Sequence, residues 1–254
     1  MDTSSARVGI VAQLRSELYG DENPLSYADE HFVDNGYPHT NLRPELVRSV
    51  LDTFQPKFWL EFGSMLGGSA ILAANVIKAK KVPTEIVCID PFTGDVNMWA
   101  WEQPLARTEK WRFLRLERGR PTIYDRFLAN VAAAGHADII LPIAATSIVG
   151  AKLLARLLKQ GRMSLLPDVI YLDSAHEPNE TYLELWTCWG LLAQGGVLMG
   201  DDWSWDSVRT DVVRFARTIS ISPERRNGLA DRHGHATEQD GVLLLDGGQW
   251  ALVK

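Results

Sequence analysis

A chain of 254 residues, 46% hydrophobic and 23% charged, can bury a full core and is too apolar for a disordered or fibrous protein. With 26 Lys+Arg against 32 Asp+Glu the net charge is -6, which offers no overall basic field to nucleic acid or an anionic membrane. Cys88 and Cys188 lack metal-ligand spacing, no apolar stretch reaches membrane-span length, and no signal-peptide pattern follows Met1, so a soluble cytoplasmic protein with two structural thiols is expected.

In chain order, a helix is expected near Val8–Leu18, then a polar stretch with Pro24, Gly36, Pro38 and Pro44, then a second helix near Glu45–Phe54. Residues 1–56 read as a helical cap and residues 57–254 as the core it covers. From Phe58 short apolar runs alternate with longer periodic ones, the pattern of an α/β, Rossmann-like, doubly wound and mostly parallel sheet. Strands are expected at 58–62, 85–90, 138–141, 168–173 and 196–199. A helix from Ser69 to Lys80 carries a stripe of Ile71, Leu72, Asn75, Val76 and Ala79. Another starts near Pro178 and packs Tyr182, Leu185, Trp186 and Trp189 into the core before ending at Gly195-Gly196. Residues 91–120 interrupt the alternation with Trp99, Trp101 and Trp111, an insertion that suits a lid or substrate wall, while the basic run from Lys110 to Arg120, mixed with Glu109 and Glu117, reads as a solvated face.

In an open α/β sheet ligands bind beyond the carboxyl ends of the strands, where Glu61, Asp90 and Asp173 would gather. The run Glu61-Phe62-Gly63-Ser64-Met65-Leu66-Gly67-Gly68-Ser69 lies between a strand and a helix. Its glycines permit positive φ and let backbone N–H groups approach a ligand at a helix N-terminus. Neither a dinucleotide fingerprint nor a P-loop is present. Asp90 follows Gly63 by 27 residues and can accept hydrogen bonds from ribose hydroxyls, so a nucleoside-containing cofactor is expected.

Asp173-Ser174-Ala175-His176 after the fourth strand and Gly200-Asp201-Asp202-Trp203 after the fifth form a second signal. If those strands are neighbours, Asp173, Asp201 and Asp202 converge, and three close carboxylates call for a cation; hard oxygen ligands suit Mg²⁺ or another divalent ion. His176 could then act as general base on an acidified hydroxyl, ligate the metal itself, or be a neutral structural residue. Trp203 and Trp205 are preferred over Trp99 and Trp101 as walls of the substrate site.

Taken in order, Glu61-x-Gly63-x-x-x-Gly67-Gly68-Ser69, Asp90, Asp173-x-x-His176 and Gly200-Asp201-Asp202 resemble the class I S-adenosylmethionine-dependent methyltransferases. More narrowly they resemble the Mg²⁺-dependent macrocin O-methyltransferase group, with the cephalosporin hydroxylase family nearby. The resemblance spans about residues 57–205. It implies that Glu61, Gly63, Gly67, Gly68 and Ser69 line the methionine part of S-adenosylmethionine, that Asp90 holds the ribose, and that Ser147 lies near the adenine. It further implies Asp173, Asp201 and Asp202 as metal ligands, His176 with Asp173 as the catalytic pair, and a small-molecule hydroxyl as acceptor, in a chain that could form a homo-oligomer. Two rivals share these residues: a metal-dependent nucleotide-sugar transferase, and a catalytically silent cofactor-binding protein.

Overall fold

β1 (Phe58–Phe62) is buried along its whole length, because its residues alternate between two covered faces of one sheet. Phe58, Leu60 and Phe62 pack into one apolar cluster, while Trp59 packs into another on the opposite face. A sheet buried on both sides needs a helical layer on each, so the doubly wound expectation follows from this strand alone. The computed structural model describes residues 8–34, 40–100, 113–219, 228–231 and 236–254.

The layers are built from α1 (Ile10–Tyr19), α2 (Pro44–Phe54), α3 (Gly68–Lys80), the short α4 (Val96–Trp99), α5 (Ile123–Ala133), α6 (Ser147–Lys159), α7 (Glu180–Leu191) and α8 (Asp206–Ala216). The strands after β1 are β2 (Glu85–Asp90), the small hairpin β3 (Leu116–Glu117) and β4 (Arg120–Pro121), β5 (Ile140–Ala144), β6 (Val169–Leu172), β7 (Val197–Gly200), β8 (Thr237–Gln239), β9 (Val242–Leu245) and β10 (Gln249–Val253). The main sheet has the order β5-β2-β1-β6-β7-β10-β9-β8. β5, β2, β1, β6 and β7 are parallel, and β10 joins antiparallel to β7. Among the described residues no helix is long and apolar enough to cross a membrane.

The chain runs outward from β1 through β2 to β5, then returns to place β6 on the other side of β1. That reversal opens a crevice at the carboxyl ends of β1 and β6. The register aligns Phe62 with Leu172 and Leu172 with Gly200, so the loops after β1, β6 and β7 leave the sheet side by side.

α1 and α2 do not form a separate layer. α1 contributes Ile10, Val11 and Leu14 to one cluster, with the Val11 N–H donating to Glu85 Oε2, while α2 contributes Leu46, Val47 and Val50 to the other. Three sequence expectations are corrected. α3 turns Ala70, Ala73, Ala74 and Ile77 inward and leaves Asn75 and Ala79 exposed, because small side chains let the helix approach the sheet closely. α7 starts at Glu180 rather than at Pro178, and Trp186 stays 46% exposed, its ring edge-on to Phe215 at 5.1 Å. β9 and β10 were not expected, although two apolar runs around Asp246-Gly247-Gly248 carry a hairpin pattern.

Candidate active site

The turn after β1 is shaped by close approach. Gly63 has φ +82°, and its N–H donates to Ile89 O at 3.0 Å. A Cβ at Gly63 would lie 1.9 Å from the carbonyl oxygen of Asp173, so β1 and β6 can sit this close only around glycine. Gly67 (φ +89°) then starts α3, and Gly68 and Ser69 form its first turn. Ser69 Oγ donates to Glu61 Oε1 at 2.9 Å, whereas the buried Oε2 has no partner among the described residues. Burial pushes the Glu61 carboxyl up to about 7, against the stabilising hydroxyl contacts.

Asp90 closes β2 beside the same turn. Its Oδ2 accepts the Met65 N–H at 2.8 Å and its Oδ1 the Phe92 N–H at 2.5 Å. Burial raises its pKa and the two backbone donors oppose that rise. Each oxygen keeps lone-pair capacity for a hydroxyl donor.

The acids after β6 and β7 converge as the strand order requires. One ligand atom each from Asp173, His176 and Asp202 lies within 4.8 Å of the others. Asp201 stands behind this group: its Oδ1 accepts the Asp202 N–H at 2.8 Å, and its Oδ2 accepts Asn41 Nδ2 at 3.3 Å. Trp250 Nε1 donates to the Asp201 carbonyl at 2.8 Å. The compact group is Asp173, His176 and Asp202, and Asp201 is near enough to raise the Asp173 pKa. Burial is the first cause of that rise, followed by the charges of Asp201 and then Asp202.

His176 sits between two carboxylates. Nε2 is 2.7 Å from Asp202 Oδ2, and Nδ1 is 3.3 Å from Asp95 Oδ2. Burial alone would lower the imidazole pKa, but contacts with Asp202 and Asp95 outweigh it and hold the ring protonated, with a pKa of about 10. The loop carrying it is pinned by Thr181 Oγ1 donating to Ala175 O at 2.8 Å and by Ser207 Oγ donating to His176 O. Trp205 lies against the ring with centroids 4.5 Å apart, and Trp203 packs onto the apolar cluster instead.

Three cavities join along this edge. One of about 320 Å³ is lined by the glycine turn, Ser69, Asp173, Asp201 and Asp202. It shares Gly63, Met65, Met98 and Asp173 with a cavity of about 180 Å³ at Asp90. That one shares Pro91, Gly94, Asp95, Ser174 and His176 with a third of about 420 Å³, which reaches Ser147 and Glu184. The result is a trough from Ser69 past Asp90 to Ser147.

Residues 91–100 wall this trough through Gly94, Asp95 and Met98. Trp99 is spent on a hydrogen bond from its Nε1 to Thr93 O at 2.8 Å. Trp101, Lys110, Trp111 and Arg112 lie outside the described residues. Sequence reasoning missed Asn41, Asp95 and Glu184, which have no motif around them, and Trp250, which follows the hairpin pattern at Gly247; all four reach the site only through folding.

The sequence matches the family described as "Methyltransferase domain" over residues 60–203. Among solved structures, the chain is similar to an O-methyltransferase from Bacillus cereus in complex with SAH, at 14% identity over 97% of this chain and 98% of that chain, with a TM-score of 0.46. It is also similar to the O-methyltransferase TomG from Streptomyces achromogenes, involved in tomaymycin synthesis and in complex with SAM, at 17% identity over 100% of both chains, TM-score 0.46. No curated protein sequence matches the chain.

Proposed function

The chain belongs to the methyltransferase domain family, and from that premise we propose that it transfers a methyl group from S-adenosylmethionine to a hydroxyl of a small molecule, assisted by a divalent cation. The observation that carries this reading is the position of Asp173, which lines both the cavity of the glycine turn and the cavity at Asp90. A cofactor with its amino acid at Glu61 and Ser69 and its ribose at Asp90 would present its methyl group beside the acids. The unpartnered Glu61 Oε2 suits the ammonium of a methionine moiety.

The donor set fits a divalent cation. Asp173 and Asp202 offer oxygens, Asp201 stands close behind, and the raised Asp173 pKa reflects carboxylates crowded together without a compensating charge. Mg²⁺ would favour the three carboxylates, while His176 as a ligand would favour a cation that accepts nitrogen. Bound there, the cation would lower the pKa of an acceptor hydroxyl and draw on the Asp202 charge that now holds the His176 proton.

His176 would take the hydroxyl proton at Nε2 once Asp202 no longer holds that nitrogen protonated. The acceptor oxygen would then attack the methyl carbon in line, forming the C–O bond as the C–S bond breaks and leaving the sulfonium as a neutral thioether. Trp205 and residues 91–100 would shield that step from water and contact the acceptor. Family membership favours methyl transfer over the nucleotide-sugar and silent-binding readings.

Isothermal titration with S-adenosylhomocysteine, with and without Mg²⁺, tests the proposal. No binding at millimolar ligand would overturn it, and binding indifferent to cations would remove the metal alone. A His176→Ala variant separates base from ligand, since loss of cation binding would make His176 a ligand.

A further inference from the structure

A buried ion pair that the proposed chemistry does not use adjoins the cavity of the glycine turn. Arg126, on α5, is 5% exposed; its Nη2 meets Asp34 Oδ1 at 2.7 Å, and its Nε donates to the two carboxylate oxygens at 3.1 and 3.0 Å. Its Nη1 donates to the Phe113 carbonyl oxygen. Asn130, one turn further along α5, is also buried. Its Oδ1 accepts the Asp34 N–H at 2.9 Å, and its Nδ2 lies 3.2 Å from Asp34 Oδ2 and 3.0 Å from the Leu66 carbonyl oxygen. Two side chains of one helix thus hold three segments that are far apart in sequence: the chain at Asp34, the return of the insertion at Phe113, and the glycine turn at Leu66. Stability alone does not require charge here, because apolar side chains of similar volume often replace a buried ion pair without loss. What a guanidinium adds is direction, since its planar fork of donors fixes the position of each acceptor.

We infer that Asp34, Arg126 and Asn130 are positioning residues for the amino-acid end of the cofactor, a clasp that sets the walls of the 320 Å³ cavity receiving it. The inference rests on the S-adenosylmethionine reading above. That cavity is walled by Leu66 and Ser69 of the glycine turn, by Phe113 of the insertion, and by Thr40 and Asn41, which follow Asp34 closely in sequence. The clasp bonds to two of these walls directly, through the carbonyls of Leu66 and Phe113, and anchors the chain shortly before the third. A contact further out runs the same way, with the Arg115 guanidinium 5.3 Å from the centre of the Phe32 ring. The ribose position is fixed separately, by Asp90 with the Met65 and Phe92 N–H groups. Loss of the clasp should therefore loosen the walls around the amino and carboxyl groups of the cofactor and leave its nucleoside end in place.

The test uses the whole chain and two probes, S-adenosylhomocysteine and methylthioadenosine, which shares the nucleoside and thioether but lacks the amino-acid end. Wild type is expected to bind S-adenosylhomocysteine at least about tenfold more tightly. Exchanging the pair for apolar residues, Asp34→Leu together with Arg126→Met, leaves neither charge buried alone. This double variant is expected to fold, to bind S-adenosylhomocysteine about tenfold more weakly, and to keep its methylthioadenosine affinity within about twofold. Arg126→Lys, which keeps the charge but cannot reach Asp34 and the Phe113 carbonyl together, is expected to fall between. Equal affinity of wild type for the two probes overturns the assignment. So does an unchanged affinity ratio in the double variant, whether both affinities hold or both fall together as a purely structural role would make them. If the double variant does not fold by circular dichroism, Arg126→Lys is judged by the same ratio. Failure of wild type to bind S-adenosylhomocysteine overturns the cofactor reading and this inference together, which separates that failure from a loss of the clasp's effect alone.

Discussion

Two parts of the trough, the glycine turn and the acid cluster, are held by different forces. At the glycine turn, Glu61, Gly63, Met65, Ser69 and Asp90 are joined by backbone geometry and buried hydrogen bonds within 30 residues of sequence. At the acid cluster, Asn41, Asp95, Asp173, His176, Asp201 and Asp202 arrive from four separate segments, and like charges are pressed together. The first is set mainly by backbone sterics, although burial raises the Glu61 and Asp90 carboxyls there. The second is electrostatic, and its stability depends on protons and cations.

The largest effect should come from breaking the steric end. Gly63→Ala places a Cβ 1.9 Å from Asp173 O at a positive φ, so a loss of about 3 kcal/mol or more is expected. Thermal unfolding would show a drop of about 6 °C or more, and a Tm unchanged within a degree would contradict the close approach of β1 and β6.

The acid end should respond to pH with a defined sign. The folded His176 pKa is about 10 against an ordinary 6.5, so its contribution is fully present below pH 6.5 and is lost as pH rises toward 10. Asp173, also raised, pushes the same way above the usual carboxylate range. In chelator-treated protein about 2–4 kcal/mol should disappear across that window, and His176→Gln should flatten the curve. A stability profile equally steep in the variant would assign the slope to other groups.

A cation should reverse that trend. At a hundredfold excess over its dissociation constant, Mg²⁺ is expected to add about 2.7 kcal/mol of stability, with EDTA removing it. A Tm indifferent to Mg²⁺ and Mn²⁺ at pH 8 would leave the cluster without a metal role.

The smallest effect distinguishes support from chemistry. Trp250→Phe removes the donor to Asp201 O and should cost about 1 kcal/mol. Metal-free binding of S-adenosylhomocysteine should stay the same, because the glycine turn does not depend on β10. A matching loss in that binding would mean the two ends are coupled.

How legible each end was follows from the same contrast. The β1–turn–α3 unit could be read because a buried strand, a glycine turn and a helix leave local marks in Phe58 to Lys80. Even there the inward face of α3 is not legible, since Ala70, Ala73 and Ala74 look less hydrophobic than Ile71 and Leu72 yet fit closer to the sheet. β9 and β10 carry a readable hairpin mark around Gly247, and Trp250 lies on the second of them. Asp95 and Glu184 left none, because a single acid on a helix or loop looks solvated until something buries it.

Residue order alone was enough for the alternating elements, the turn at Gly63 and the acids at strand ends, all of which depend on neighbours a few positions away. Which acids meet was decided by the placement of β6 between β1 and β7, which brings Asp173 against Gly63 and beside Asp202. The same packing set His176 close to Asp173 and Asp202, with Asp201 beside them and its carboxylate bonded to Asn41 and the Asp202 N–H. Convergence across more than 100 residues is a property of strand order and register, and local pattern carries no record of either.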